Sequence, residues 1–155
     1  MSRYAEQTEV ASDRSRMEIE RTIARYGATG FMYGWTAGAA VIAFEMHERR
    51  VKFELPMPNR NAEEFTRTPS GRERKETQSA QAYEQAVRQR WRALALVIKA
   101  KLEAVETGIT EFEEEFLAHI VLPNGQTVGG WMVPQIAAAY ERRDMPAMLP
   151  LPENG

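Results

Sequence analysis

The sequence contains no cysteine and only two histidines among its 155 residues. Without thiols the chain cannot form disulfides, cysteine-ligated metal sites or a thiolate nucleophile, and such a composition is typical of a reducing compartment. No apolar run is long enough to span a membrane. The first sixteen residues lack the apolar core of a secretory signal and mix acidic with basic side chains, unlike a transit peptide. We therefore expect a cytoplasmic protein.

The net charge of the chain is only −2, because basic and acidic segments cancel each other. Residues 49–101 carry 13 basic and 6 acidic side chains, whereas residues 102–155 carry 2 basic and 9 acidic ones. Sixteen of the twenty cations are arginine, the side chain best shaped to bind phosphate or carboxylate with two hydrogen bonds. The opposite charges of the two segments favour self-association, so a homo-oligomer is expected.

The apolar periodicity changes along the chain and predicts the secondary structure. The expected elements are a helix over 13–26, three strands within 30–57, a long helix over 79–107, a shorter helix over 110–120, a turn at 122–128 and a helix over 131–143. This order, α-β-β-β-α-α-(turn)-α, indicates an α+β fold in which helices pack on one face of a three-stranded antiparallel meander. Gly27 and Gly108 are expected to end the first and the long helix.

One domain is expected over residues 1–155, the usual size for a single core. The pattern leaves three segments without a predicted element. They are a frayed N-terminus over 1–11, a charged mobile loop over 58–78 and a proline-rich C-terminal tail over 145–155. Long loops in compact domains are usually functional or disordered, so the 58–78 loop is of functional interest.

The first five predicted elements, αβββα, resemble the architecture of the double-stranded RNA-binding domain. The binding motifs of that family are missing, since the long helix opens with Ser79-Ala-Gln-Ala in place of a lysine-rich motif. The resemblance therefore implies an arrangement of elements and no activity.

A second resemblance rests on three runs of sequence. They are RQRWRALALVIKAKLEAV at 88–105, EEEFLAHI at 113–120 and LPNGQTV at 122–128. The chain is similar to a family of small proteins of unassigned activity encoded by bacteriophages and prophages of GC-rich bacteria. The resemblance implies a phage context and the cytoplasm of a bacterial host. Early phage functions are mostly nucleic-acid handling or interference with host defence.

The basic third contains the residues that we expect to bind phosphate. They are Arg67, Arg72, Arg74 and Lys75 in the loop and Arg88 and Arg92 on the long helix. Such a cluster displaces the counterions condensed on nucleic acid, which favours binding to it. Tyr33, Trp35 and Trp91 are candidates to stack on bases. The alternative is that the aromatic residues are core and that the arginines form a solvated face that pairs with Glu84 and the loop acids.

A related hypothesis uses the same cations for a smaller ligand. An arginine pocket with an aromatic wall made by Phe31, Tyr33 and Trp35 would suit a nucleotide. The chain would then be a counter-defence protein that sequesters a nucleotide or cyclic-nucleotide signal or blocks a host defence protein. The alternative is that these aromatic side chains are buried under helices.

Catalytic and metal-binding patterns are weak in this sequence. Glu45 and His47 could act as an acid/base pair, and Glu111, Glu115 and His119, spaced by four, could hold a metal in a small enzyme. Gly129-Gly130 matches no phosphate-loop motif. We expect a non-enzymatic binding protein without catalytic residues, metal or cofactor.

Overall fold

The computed structural model describes residues 3–36 and 38–145, with side chains from Asp13 onward. Its helices are α1 (Arg3–Arg25), α2 (Glu63–Thr66), α3 (Glu76–Glu106), α4 (Phe112–Glu115) and α5 (Val128–Arg142), and its strands are β1 (Gly30–Thr36), β2 (Ala39–Met46) and β3 (Arg49–Pro56). A 3-10 turn, Leu117–His119, lies between α4 and α5. The predicted α+β class and element order are confirmed.

The sheet is an antiparallel meander with the order β1-β2-β3. Phe31, Phe44 and Val51 lie opposite one another across the three strands, so they share one face of the sheet. The tight turn between β2 and β3 is formed by His47 and Glu48, both with positive φ. Two-residue hairpin turns require this backbone conformation.

The core lies between one face of the sheet and the inner side of α3, with α1 packed along α3. The 3.6-residue period of the long helix predicted its buried side correctly. Val87, Trp91, Leu94, Ile98 and Leu102 are buried, and Tyr83 and Val105 pack against them. Burial of this stripe supplies most of the stability of a helix that is otherwise rich in charge.

Glycine ends both long helices as the sequence predicts. Gly27 has φ +102°, and the backbone N–H of Ala28 donates to the carbonyl oxygen of Ile23 at 3.0 Å. Gly108 has φ +80°, and Ile109 donates to Ala104 at 3.0 Å. These hydrogen bonds satisfy the last free carbonyl groups of each helix, and glycine adopts the required left-handed conformation without steric cost.

Two segments predicted to lack regular structure contain it. Helix α1 begins at Arg3, so residues 3–11 are helical. The 58–78 segment contains α2, a backbone bridge between Arg67 and Glu73, and the first turn of α3. Most of the predicted tail, residues 146–155, lies outside the described residues. Within the described ranges, no helix is both long and apolar enough to cross a membrane.

The turn predicted at 122–128 is a small hairpin. Val121 and Thr127 form a backbone bridge around Gly125, which has φ +88°. Helix α5 starts at Val128, three residues earlier than predicted, because the Thr127 hydroxyl accepts the backbone N–H of Gly130 at 3.0 Å. Pro134 lies inside this helix.

Candidate nucleic-acid interface

Residues 66–75 form a short hairpin that we call the arginine hairpin. The backbone N–H of Arg74 donates to Thr66 at 2.7 Å, and that of Thr68 donates to Arg72 at 2.8 Å. The turn closes through a hydrogen bond from Gly71 to Thr68, and Gly71 has φ +87°. A three-residue loop that ends in a left-handed glycine is a common hairpin connection. The sequence Thr-Pro-Ser-Gly therefore produces a defined turn.

The arginine hairpin presents four cations within nine residues. Arg67, Arg72 and Lys75 are exposed, and Arg74 is half-buried. Among the residues that the structure describes, none of the four forms an ion pair within 4.0 Å, although Glu73 lies between them in sequence. The Arg67 guanidinium donates to the carbonyl oxygen of Gly71 at 3.2 Å and braces the turn. The structure thus brings together the four loop cations that the sequence predicted.

A buried aromatic contact anchors the hairpin to α3. Phe65 is buried and meets the ring of Tyr83 edge-on, with ring centroids 5.6 Å apart. The Arg60 guanidinium lies 5.5 Å from the Tyr83 ring centroid and donates to the Ser79 hydroxyl at 3.0 Å. These anchoring residues were not predicted from the sequence. The signal available was Phe65, the one aromatic side chain in a highly charged segment.

The arginines of α3 form a separate group. Arg88 pairs with the buried Glu84 at 3.4 Å, as the alternative sequence interpretation expected. Arg90 donates to the carbonyl oxygen of Pro56 at 2.6 Å and fixes the end of β3 against the helix. Arg92 is exposed and forms no ion pair in the described part of the chain. From the rise of an α-helix, Arg88 lies about 18 Å along α3 from Glu76, the first residue of the helix. The predicted phosphate-binding region therefore consists of two patches, one on the arginine hairpin and one on α3.

The three aromatic residues predicted to stack on bases differ in accessibility. Trp91 is 2% exposed and belongs to the core, so its predicted role as a stacking platform is wrong. Tyr33 packs against the core with its ring 6.0 Å from that of Trp91, and the Arg16 guanidinium lies 4.3 Å from its centroid. Trp35 is 74% exposed and lies at the end of the sheet that contains the C-terminal end of β3. The predicted aromatic wall is therefore mainly core, since Phe31 also packs inward.

Glu45 and His47 engage different partners. The Glu45 carboxylate accepts a hydrogen bond from Arg50 at 3.0 Å, and the His47 ring packs on Phe112 with centroids 4.8 Å apart. Both residues line an open surface cavity of about 830 Å³ beside the turn between β2 and β3. The acid/base pair proposed from their sequence spacing remains a prediction.

The predicted metal-binding stripe does not form, because the helix that should carry it ends at Glu115. His119 lies in the 3-10 turn and stacks on Phe53, with centroids 4.0 Å apart. The described residues contain no group of three or more histidine, aspartate or glutamate side chains placed to hold a metal. Gly129 belongs to the start of α5, where an added Cβ would lie 2.9 Å from the carbonyl oxygen of Ala118.

Two groups near Lys101, Glu115 and His119, have shifted pKa values. Hydrogen bonds from the hydroxyl of Thr110 and from Lys101 lower the pKa of Glu115. Burial lowers the pKa of His119, and the nearby charge of Lys101 acts in the same direction. Both effects favour an ionised Glu115 and a neutral His119 at neutral pH, as expected of structural contacts.

No known family model, curated protein or solved structure matches this chain. The resemblances to phage proteins and to the double-stranded RNA-binding domain therefore remain predictions.

Proposed function

We propose that this protein binds nucleic acid through the arginine hairpin. The observation that supports the proposal is the set of four cations on one ordered hairpin, without carboxylate partners among the described residues. Cations held close together repel one another and attract anions. A polyanion is expected to bind such a cluster most tightly, because binding releases the counterions condensed on it.

The order of the hairpin strengthens this argument. A flexible loop would lose conformational entropy on binding, whereas backbone hydrogen bonds already fix the positions from which Arg67, Arg72 and Arg74 extend. Guanidinium groups bind phosphate oxygens with two parallel hydrogen bonds. Contacts of this kind position a protein on the backbone and carry little sequence information, so we expect binding with weak sequence preference.

The exposed Trp35 adds a stacking surface, which would favour single-stranded nucleic acid over duplex. A role in nucleic-acid handling also agrees with the phage context that the sequence resemblance implies. The separate group on α3 contributes less to the proposal, because Arg88 and Arg90 already have internal partners.

The proposal predicts a steep dependence of affinity on salt. Four phosphate contacts should lower the affinity about 50- to 150-fold between about 50 and 200 mM monovalent salt, since each contact contributes a slope of about 0.7 to 0.9 in logarithmic units. Fluorescence anisotropy with labelled single-stranded DNA, duplex DNA and RNA of equal length measures this directly. If none of the three probes binds at the lowest salt concentration, the proposal is wrong.

A competition experiment separates nucleic acid from the nucleotide alternative. An unlabelled oligonucleotide should displace the labelled probe at concentrations near its own dissociation constant. A free mononucleotide or cyclic nucleotide should not, because it offers too few phosphates to engage four cations. Displacement by the small ligand at equal concentration would favour the sequestration hypothesis instead.

A further inference from the structure

Helix α5 exposes an apolar stripe that nothing in the described chain covers. Val133, Ile136, Ala137 and Tyr140 follow the spacing i, i+3, i+4, i+7 and are all exposed, Val133 at 62% and Tyr140 at 83%. No residue of α5 is buried. A stripe with this spacing is the usual contact surface of one helix on another, and a helix this apolar is normally enclosed.

Helix α3 exposes a second stripe with the same spacing on the side opposite its core face. Ala93, Leu96, Val97 and Ala100 are exposed, with Leu96 at 61%. Because both stripes are exposed at once, α5 does not cover α3 of its own chain. Each copy of the chain thus carries two apolar helix faces.

The two stripes match in length when the helices run antiparallel. Pairing Tyr140 with Ala93 places Val133 opposite Ala100, so a large side chain faces a small one at each end. Between these ends, Ile136 and Ala137 of α5 lie against Leu96 and Val97 of α3, so apolar side chains meet along the whole stripe.

Charge favours the same orientation. In this register Glu141, one turn beyond Ala137, lies at the same end of the contact as Arg92, which forms no ion pair in the described structure. Glu103 lies near the first turn of α5, where the helix dipole favours a negative charge. With the stripes aligned in parallel, Glu103 would instead lie at the C-terminal end of α5, where the helix dipole disfavours a negative charge.

We propose that α5 of one copy packs antiparallel on the outer face of α3 of a second copy, and reciprocally. A reciprocal contact closes as a two-fold symmetric dimer. With full side-chain areas of roughly 150–220 Å², the exposed parts of the two stripes amount to about 500 Å² per copy, hence about 1,000 Å² in the dimer, the lower limit for a stable interface. Arg92 is thereby assigned to the dimer contact and not to phosphate.

Light scattering coupled to size exclusion, and sedimentation at several concentrations, test the proposal. The wild-type chain of 17.7 kDa should have twice that mass at micromolar concentration. Leu96→Glu and Ile136→Glu should each give a monomer with an unchanged circular dichroism spectrum, since both residues are exposed. Met17→Glu, at an exposed apolar residue on α1, is the matched control and should stay dimeric.

A charge exchange tests the orientation. Glu141→Arg and Arg92→Glu should each weaken the dimer by at least about tenfold through like-charge contacts, and the double variant should restore it. A monomeric wild type, a dimer that survives both Leu96→Glu and Ile136→Glu, or a double variant no tighter than the single ones would overturn the proposal. In the first case the segment 146–155 of the same chain becomes the candidate to cover these faces.

Discussion

Replacing Arg72 and Arg74 together by glutamine is expected to weaken nucleic-acid binding about 50-fold at about 100 mM salt, because each lost phosphate contact forfeits the release of nearly one counterion. Neither side chain has an ion-pair partner among the described residues, so the fold should tolerate the change. Fluorescence anisotropy gives the affinity, and thermal unfolding verifies that stability is unchanged.

The matched control is the double variant Arg49→Gln with Arg50→Gln, which removes the same charge. These arginines lie at the end of β3 opposite to Pro56 and pair with Glu113 and Glu45, respectively. Because they are already neutralised and distant from the hairpin, the loss of affinity should stay within about threefold. Equal losses in the two double variants would mean that net charge alone drives binding, and the hairpin would lose its assigned role.

Trp91→Ala is expected to lower the free energy of unfolding by about 3–5 kcal/mol, the usual cost of removing a large aromatic side chain from a core. Trp91 is among the largest fully buried side chains and contacts Tyr33 across the sheet–helix boundary. A loss of this size is a large fraction of the total stability of a typical domain.

Trp35→Ala provides the comparison for Trp91→Ala, because the same atoms are removed from an exposed position. Its free energy of unfolding should change by no more than about 0.5 kcal/mol. Denaturant titration followed by circular dichroism measures both variants. A similar effect at the two positions would contradict the placement of Trp91 in the core.

The elements that the sequence predicted well are those with a periodic apolar pattern. The spacing of Val87, Trp91 and Leu94 identifies the buried side of α3, and glycine at 27 and 108 marks helix ends through its backbone freedom. The meander could be predicted for the same reason, since alternation along each strand reports one buried face.

The arginine hairpin could not be predicted in the same way, because backbone hydrogen bonds and one buried ring hold it in place. Its residues are charged, so their pattern gave no period, and the segment was expected to be a mobile loop. Thr68-Pro-Ser-Gly71 is a turn sequence in which proline precedes the turn centre and glycine ends it. Reading that signal together with Phe65 would have predicted an anchored hairpin.

The candidate site shows a similar division between what sequence pattern can and cannot predict. Charge density along the chain indicated Arg67, Arg72, Arg74 and Lys75, which lie on one hairpin in the structure. It could not distinguish these four cations, which form no ion pair among the described residues, from Arg90, which holds a carbonyl oxygen 34 residues away in sequence. The same holds for Trp91, because the sequence pattern of an aromatic ring flanked by arginines fits both a core residue and a stacking platform until its burial is known.

Protection of individual arginines from an arginine-specific reagent tests directly whether nucleic acid binds at the arginine hairpin. With phenylglyoxal and peptide mass spectrometry, saturating oligonucleotide should reduce the modification of Arg67, Arg72 and Arg74 and leave that of Arg49 and Arg50 unchanged. We expect this contrast because phosphate oxygens would occupy the hairpin guanidinium groups. Equal modification of the hairpin arginines with and without bound oligonucleotide would contradict it.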